Sequence, residues 1–561
     1  MYTSIATETQ RNHNSHNSAP PRTVGRGTLV CENVPAVPRL EIHVMTTTRL
    51  AVVLALVAAP GLALLLSLHA VRTYDLGFIL KTGELIARQG ILTTDPFSFT
   101  RAGAPWYYEQ PLGALGFYFI WRAVGLTGLI VVKAITIAAA FALAVTAAWT
   151  AASREKTGDA SNDSSRSRYG AVVAAVAGML AVSISAPRFF EQPFVFSFVL
   201  LAFTVWVLER HNRHPRWSTL AALVPVFVLW PLVHPGYFYG LALVGCYAAA
   251  AIISSWVTRD GRAARWIAVY SQQGAIQLAT IAGLCGVVAF ASLVFFHPQG
   301  MQCLARVWSV FAGDFYRQNY DEMRPLYATY GINLPTMALW GGPPLLWLSA
   351  RRPIVPAHLF AYLVFVTNGL QVGRLVTETS LVLTPIWAAS CASAVGALYE
   401  RGNIRTLAKK LTPSRAAWMV VVLAFFTAMN YVRVGFGRDL SWAGDRYPRA
   451  CYDWIARSHL PPRMFNDMLF GGSFIFRFYP ERRVFVDGRT VYDEDFLTGV
   501  YRPIEMAAPG WRDIVAKLDI RWFLLSPYRS AHLHDVLQSS PEWQRVYADQ
   551  SCVIYAGSAG Q

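Results

Sequence analysis

Long apolar runs recur along the chain at the length needed to cross a hydrocarbon core of about 30 Å, as in Leu50 to Leu68, Gly170 to Ala186, Phe194 to Leu208, Gly236 to Val257 and Ala275 to Phe296. Short polar connectors separate them. Followed through the whole chain, the pattern predicts about eleven transmembrane helices, over residues 49-71, 112-150, 170-186, 190-208, 218-233, 236-257, 275-297, 334-349, 354-370, 376-398 and 416-433. The stretch 112-150 exceeds one simple crossing, and Gly125 with Gly128 predicts an interfacial helix ahead of the true span. The first 44 or so residues are polar, lack apolar periodicity and read as disordered. Met45 directly precedes the first apolar run and is an alternative start. That run is too long for a secretory signal and has no convincing small-residue cleavage site before Asp75, so it reads as a retained helix.

From about Gly435 the pattern changes to alternating strand and helix signals with ordinary charge. Arg483 to Val486 and Arg521 to Ser526 predict short buried strands, Trp511 to Leu518 and His532 to Gln538 amphipathic helices, and Val546 to Ala556 a closing hairpin. The expected fold class is thus a polytopic α-helical membrane protein with a small C-terminal α/β domain. Its parts are a tail over 1-48, a transmembrane domain over 49-433 with a long first outer loop at 72-111, and the domain 434-561. No helical pattern repeats in two halves, as it does in many secondary transporters.

Composition agrees, because a chain of 561 residues that is 54% hydrophobic and 15% charged cannot bury its apolar surface in one soluble core. The net charge of +16 would suggest nucleic acid in a soluble protein. Here the basic residues lie in short connectors, where topology and lipid headgroups account for them, and no nucleic-acid partner is expected. With the N-terminus inside, the basic clusters Arg154 to Arg168, Arg210 to Arg216, Arg259 to Arg265, Arg351 to Arg352 and Arg401 to Arg415 all fall on the cytoplasmic side. An odd count then places the C-terminal domain outside, on a multi-pass protein of the cell (inner) membrane. Cys246, Cys285 and Cys391 lie in apolar runs and read as core residues, whereas Cys451 and Cys552 can form a disulfide if their region is extracytoplasmic.

Ionisable residues near a bilayer are costly unless hydrated or paired, which makes them functional candidates. They gather at the outer helix ends: Asp75 after the first helix, Glu109 before the second, Arg188 and Glu191 at the third turn, His234 at the fourth break, and Arg374 with Glu378 near the tenth helix. In the first outer segment, Asp75 to Arg88 predicts an amphipathic interfacial helix, with turns at Thr94-Asp95-Pro96 and Gly103-Ala104-Pro105. A carboxylate at the mouth of a membrane cavity can act as general base on a hydroxyl, and a second can position the acceptor or help hold a divalent cation.

This segment resembles the GT-C superfamily of membrane glycosyltransferases, most closely the bacterial proteins grouped with dolichyl-phosphate-mannose protein mannosyltransferases and RgtA/B/C/D-like transferases. Their loop looks like D-L-W-W-H-L-x-T-G-E … T-D-P-F-S-x-T … G-x-P-W … H-E-W. The chain supplies Asp75, Leu76, Thr82, Gly83, Glu84, Thr94, Asp95, Pro96, Phe97, Ser98, Thr100, Gly103, Pro105, Trp106 and Glu109. His234-Pro235-Gly236 resembles the group's H-G-G break, and His297-Pro298-Gln299-Gly300 its N-P-x-G. Phe465-Asn466-Asp467, Gly471-Gly472 and Val484 to Arg489 resemble F-N … G-G-Y … V-F-I-D-G-R. The chain departs in having Ile79 and Tyr108 where the group has His, and Asp75-Leu76 where protein mannosyltransferases have an acidic pair.

The resemblance implies transfer of a sugar from a polyprenyl-phosphate-linked donor, drawn from among the membrane lipids, to an extracytoplasmic acceptor. Asp75 would be the base, Glu109 a supporting carboxylate, and Arg188, Glu191, His234 and Arg374 would bind substrate, with the lipid phosphate meeting Arg188 or Arg374. The cofactor is unknown, with a divalent cation left open. Plainer roles stand beside each of these: Asp75 as helix N-cap, Glu109 as an interfacial carboxylate, His234 as a helix end bonded to backbone, the two arginines snorkelling to headgroups, and Asp487-Gly488-Arg489 as a turn whose arginine pairs with a nearby carboxylate. A lipid transporter or flippase, and a non-catalytic scaffold with a binding domain, are the alternative functions.

Overall fold

The computed structural model of the protein describes residues 39–153, 160–257, 267–268, 270–433 and 440–557. Most of the expected tail, the basic cluster Arg259 to Arg265 and the expected boundary at 434 lie outside these residues. The first helix spans Arg39–Ser67, so it starts before the expected edge at 49.

Helices occupy all eleven expected positions. Eight of them, among the described residues, are long and apolar enough to cross a membrane: Arg49–Ser67, Pro111–Ala152, Ser167–Arg188, Phe194–Arg213, Tyr237–Trp256, Gln272–Phe296, Gly373–Glu400 and Pro413–Arg433. The other three are shorter. Trp217–Val233 is broken into two pieces, and Leu334–Ala350 and Pro356–Gln371 have 17 and 16 residues, about 25 Å at 1.5 Å per residue. The 42-residue helix Pro111–Ala152 breaks its helical geometry at Gly125, whose φ of 68° suits a residue without Cβ. This is the break foreseen between an interfacial helix and a crossing.

Connectors sort to two ends of the bundle. At one end Arg352 pairs with Glu400 at 2.6 Å, Arg401 donates to the Ser349 and Ala350 carbonyls, and Tyr169 donates to Leu411 O. At the other, Tyr431 donates to Leu66 O and the backbone N–H of Val71 to Ser441 O. The C-terminal residues pack on this second end, within one compact unit that covers residues 47–561.

Their sheet has four strands, β1 (Met464–Asn466), β2 (Trp522–Leu525), β3 (Trp543–Ala548) and β4 (Val553–Gly557), in the order β1-β2-β4-β3. The β1–β2 pair is parallel and the rest antiparallel. The expected helices appear as Trp511–Lys517 and Ala531–Ser539, and the closing hairpin is β3–β4. Cys451 and Cys552 are joined in a disulfide.

One strand expectation needs correction. Arg483 to Val486 is outside the sheet, and β1 takes a place the sequence did not announce. The Asn466 side chain accepts from Phe485 N at 2.9 Å and donates to Val486 O at 2.8 Å, so a side chain supplies the partners that a neighbouring strand would offer. On the other side Val484 exchanges backbone hydrogen bonds with Phe97 and Phe99 of the first outer loop, both 3.1 Å. The segment therefore clamps that loop to the C-terminal sheet. Helix Leu76–Gln89 of the loop lies against helix Met468–Phe478 in the same region, with Gly77 and Gly472 in backbone contact.

Candidate active site

The loop helix carries a candidate site residue at its start. Asp75 occupies the N-cap position of Leu76–Gln89, yet its backbone is at φ −91°, ψ −20° and its side chain makes no capping bond. Capping therefore does not explain it. Its Oδ2 instead accepts from Gln192 Nε2 at 2.6 Å, and Gln192 also donates to Thr73 Oγ1 at 3.0 Å. A Cβ on Gly488 would stand 2.4 Å from Asp75 Oδ1, so the Asp487-Gly488-Arg489 turn forms a wall of this site close against the carboxylate. Burial pushes the Asp75 carboxyl up to about 7, with Glu322 and Asp487 adding to the shift and Arg374 opposing it. We expect Gly488→Ala to lower activity at least tenfold with little change in thermal stability, since the new methyl must displace the carboxylate; unaltered kinetics would show that this wall does not hold Asp75.

Two arginines from different turns meet on one carboxylate. Arg188 is fully buried on the short 3-10 turn Ala186–Arg188, with its guanidinium 4.2 Å from the centre of the Phe194 ring and Nη1 2.6 Å from Glu322 Oε2. Its Nε and Nη2 have no hydrogen-bond partner. Arg374 Nη1 lies 2.9 Å from Glu322 Oε1, on a quarter-exposed side chain. Both arginines are thus paired with Glu322, Arg188 from a buried position and Arg374 from a partly exposed one. Burial alone would raise the Glu322 carboxyl, but Arg374 and Arg188 hold it below the usual range. Sequence reasoning passed over Glu322 and Gln192, because each is one polar residue in a connector whose partners are remote in sequence.

Glu109 is half-buried and accepts from Thr490 Oγ1 at 3.4 Å; burial raises its carboxyl, against Arg306 and Arg374. Asp75 and Glu109 thus both sense Arg374 and both touch the segment that follows Val486. Both carboxyls lie within electrostatic reach of Arg374, and Glu322 connects Arg374 to Arg188.

Two expected substrate ligands are otherwise engaged. Glu191 is fully buried and pairs with Lys133 at 2.7 Å, accepts from Arg72 N at 3.1 Å and lies 3.9 Å from His69 Nδ1. Buried charge needs such pairing, and Lys133, a lone cation in an apolar run, needs Glu191 as much. His234 Nδ1 accepts from Gly236 N at 2.9 Å and lies 3.0 Å from Ser197 Oγ, so it closes the turn after its helix, as the plainer reading had it.

The Asp487-Gly488-Arg489 turn also locks the domain to the loop. Arg489 donates from Nη1 to Asp95 Oδ1 at 2.5 Å, and from Nε and Nη2 to the two Asp487 oxygens at 2.7 Å each. Asp95 further accepts from Phe97 N at 2.9 Å and from Ser98. The nearby carboxylates foreseen for Arg489 are thus Asp487 itself and Asp95 of the outer loop. Among the described residues no three His, Cys, Asp or Glu side chains converge as metal ligands.

No family model matches the chain, and no curated protein matches it. Among solved structures it is similar to ArnT from Cupriavidus metallidurans bound to undecaprenyl phosphate, with 16% identity and a TM-score of 0.48 over 92% of this chain and 98% of that one. It is also similar to the oligosaccharyltransferase of Archaeoglobus fulgidus in its apo form, with 12% identity and a TM-score of 0.46 over 91% of this chain and 74% of that one. Both scores lie below 0.5, and the chemistry of the site rests on its own residues.

Proposed function

We propose that the protein is a membrane glycosyltransferase that moves a sugar from a polyprenyl-phosphate-linked donor to an acceptor hydroxyl on the extracytoplasmic side of the cell membrane. The observation that carries this reading is the placement of the Asp75 carboxyl within electrostatic reach of Arg374 and of Glu322, the carboxylate that Arg374 shares with Arg188, at one end of a helical bundle. A base within reach of anion-binding groups suits displacement of a phosphate by a hydroxyl. The loop motif of residues 75–109 points the same way.

In the proposed reaction the acceptor oxygen attacks the anomeric carbon while its proton passes to Asp75. The bond from that carbon to the phosphate oxygen breaks, and the electron pair leaves with the lipid phosphate. Arg374 and Arg188 take up the added negative charge through charge-assisted hydrogen bonds. Gln192 positions the Asp75 carboxylate, and Glu109 with Thr490 supports the acceptor. The isoprenoid tail stays in the bilayer. Placement on the extracytoplasmic side is supported by the Cys451–Cys552 disulfide, which suits an oxidising compartment, and by the arginine-rich connectors at the opposite end of the bundle.

A base must be ionised to act. Transfer should therefore fall as pH drops through about 7, where Asp75 takes up a proton, and level off above it. The test is transfer of labelled sugar from a polyprenyl-phosphate donor by membranes containing the full-length chain, measured from pH 5.5 to 9. Covalent product with that profile supports the reading; lipid flux in proteoliposomes with no covalent product rejects it in favour of a transporter.

A further inference from the structure

We infer that Glu322 is a displaceable stand-in for the lipid phosphate: the donor's phosphate replaces it between Arg188 and Arg374, and its return helps expel the lipid phosphate product. This rests on the glycosyltransferase reading and adds to it a residue that governs loading and release.

The geometry supplies the grounds. One carboxylate bridges two arginines with one oxygen to each, at 2.6 and 2.9 Å. That leaves Nε and Nη2 of the fully buried Arg188 without acceptors. A buried guanidinium with idle donors is costly, and a phosphate has more oxygens than a carboxylate with which to fill them. Without any anion, the buried Arg188 and the partly exposed Arg374 would repel each other, and Glu322, bonded to both, with Glu378 farther off, offsets that repulsion while the site is empty.

Glu322 is also placed to move. It sits on the three-residue 3-10 turn Asp321–Met323, and its side chain is 34% exposed beside an Asp321 that is 79% exposed. Water is at hand for a displaced carboxylate. The turn is pinned nearby by Gly373 N donating to Arg324 O at 2.7 Å and Thr329 Oγ1 donating to Asp321 O at 2.8 Å, so the exchange needs the side chain to swing and the backbone to yield only locally.

Charge gives the exchange a direction. The donor is a diester, whereas the product is a monoester that approaches a charge of about −2 above its second pKa of about 6. The two arginines would retain that product more tightly than the donor. A competing carboxylate tethered beside them counters this, because its local concentration is high whatever the lipid concentration.

The experiment measures binding of a short-chain polyprenyl phosphate to the detergent-solubilised full-length protein, wild type against Glu322→Gln and Glu322→Asp. Removing the competitor should tighten binding at least tenfold in Glu322→Gln and slow turnover through retained product, while Glu322→Asp stays close to wild type. A second measurement needs no variant: hydrogen exchange of residues 320–324 in the wild type should quicken when the phosphate binds. Phosphate bound by the wild type, with no tightening in Glu322→Gln and no quickening of these amides, overturns the exchange and leaves the transferase reading standing. No binding to the wild type overturns both.

Discussion

Asp75→Asn should reduce sugar transfer by at least about 100-fold, the lower range for loss of a positioned general base, while the protein stays folded in its membrane. The retained fold follows from the neighbours. An Asn carbonyl can still accept from Gln192 Nε2, which reaches the wild-type carboxylate at 2.6 Å, and loss of the charge relieves repulsion from Glu322 and Asp487. The sign of the stability effect can be worked out. Burial raises the Asp75 carboxyl from 3.8 to about 7, so between these values the folded state holds a proton that the unfolded state has lost. Ionised Asp75 therefore opposes folding, increasingly as pH rises through that window and fully above about 7. The variant should melt at or above the wild-type temperature at pH 8, and the difference should vanish below about pH 4. Thermal unfolding in detergent alongside the transfer assay reads both quantities. Wild-type transfer by the variant would remove Asp75 from the chemistry.

Arg489→Ala should be the most damaging single change to stability, costing about 3–5 kcal/mol, the range for removing one partner of a buried ion pair. The Asp95, Asp487 and Arg489 side chains are 0%, 0% and 1% exposed, so the substitution strands two carboxylates away from water. Tyr492 OH, 3.1 Å from Asp487 Oδ2, can satisfy only one of the freed oxygens. Arg489→Lys should not rescue it, because Nε, Nη1 and Nη2 all donate and a single ammonium cannot reproduce a planar fork. Limited proteolysis should then open the first outer loop around Asp95, since this cluster and the Val484 backbone bonds hold the loop to the C-terminal sheet. Equal melting temperatures for Arg489→Ala and wild type would show that the cluster does not carry this junction.

The membrane helices were legible because lipid and the core impose a local rule: each crossing must be apolar along its own length. The same logic exposed the break at Gly125, the amphipathic helix after Asp75 and the closing hairpin β3–β4, each set by neighbours a few residues apart. It also led to one error. Val484 to Val486 are buried, as a strand would be, but their partners are the Asn466 side chain and the outer loop. Local pattern registers burial and is silent on who does the burying. Three of the eleven helices likewise satisfied the pattern while falling short of the eight full-length spans among the described residues.

The site divided along the same line. Asp75, Glu109, Arg188 and Arg374 were visible as charges at helix ends, whereas the residues that assign their roles were not. Glu322 lies 134 positions from Arg188, Gln192 lies 117 from Asp75, and Lys133 lies 58 from Glu191. Such pairs leave no periodic trace, because a buried charge needs only one opposite charge at hydrogen-bond distance and the chain can bring it from anywhere. By itself, then, the sequence determined which segments are helical and where polar groups interrupt them, since solvation acts residue by residue. Only the tertiary structure decided that Glu191 is paired with Lys133 while two arginines share Glu322 within reach of Asp75, since Coulomb and hydrogen-bond energies depend on distance in space.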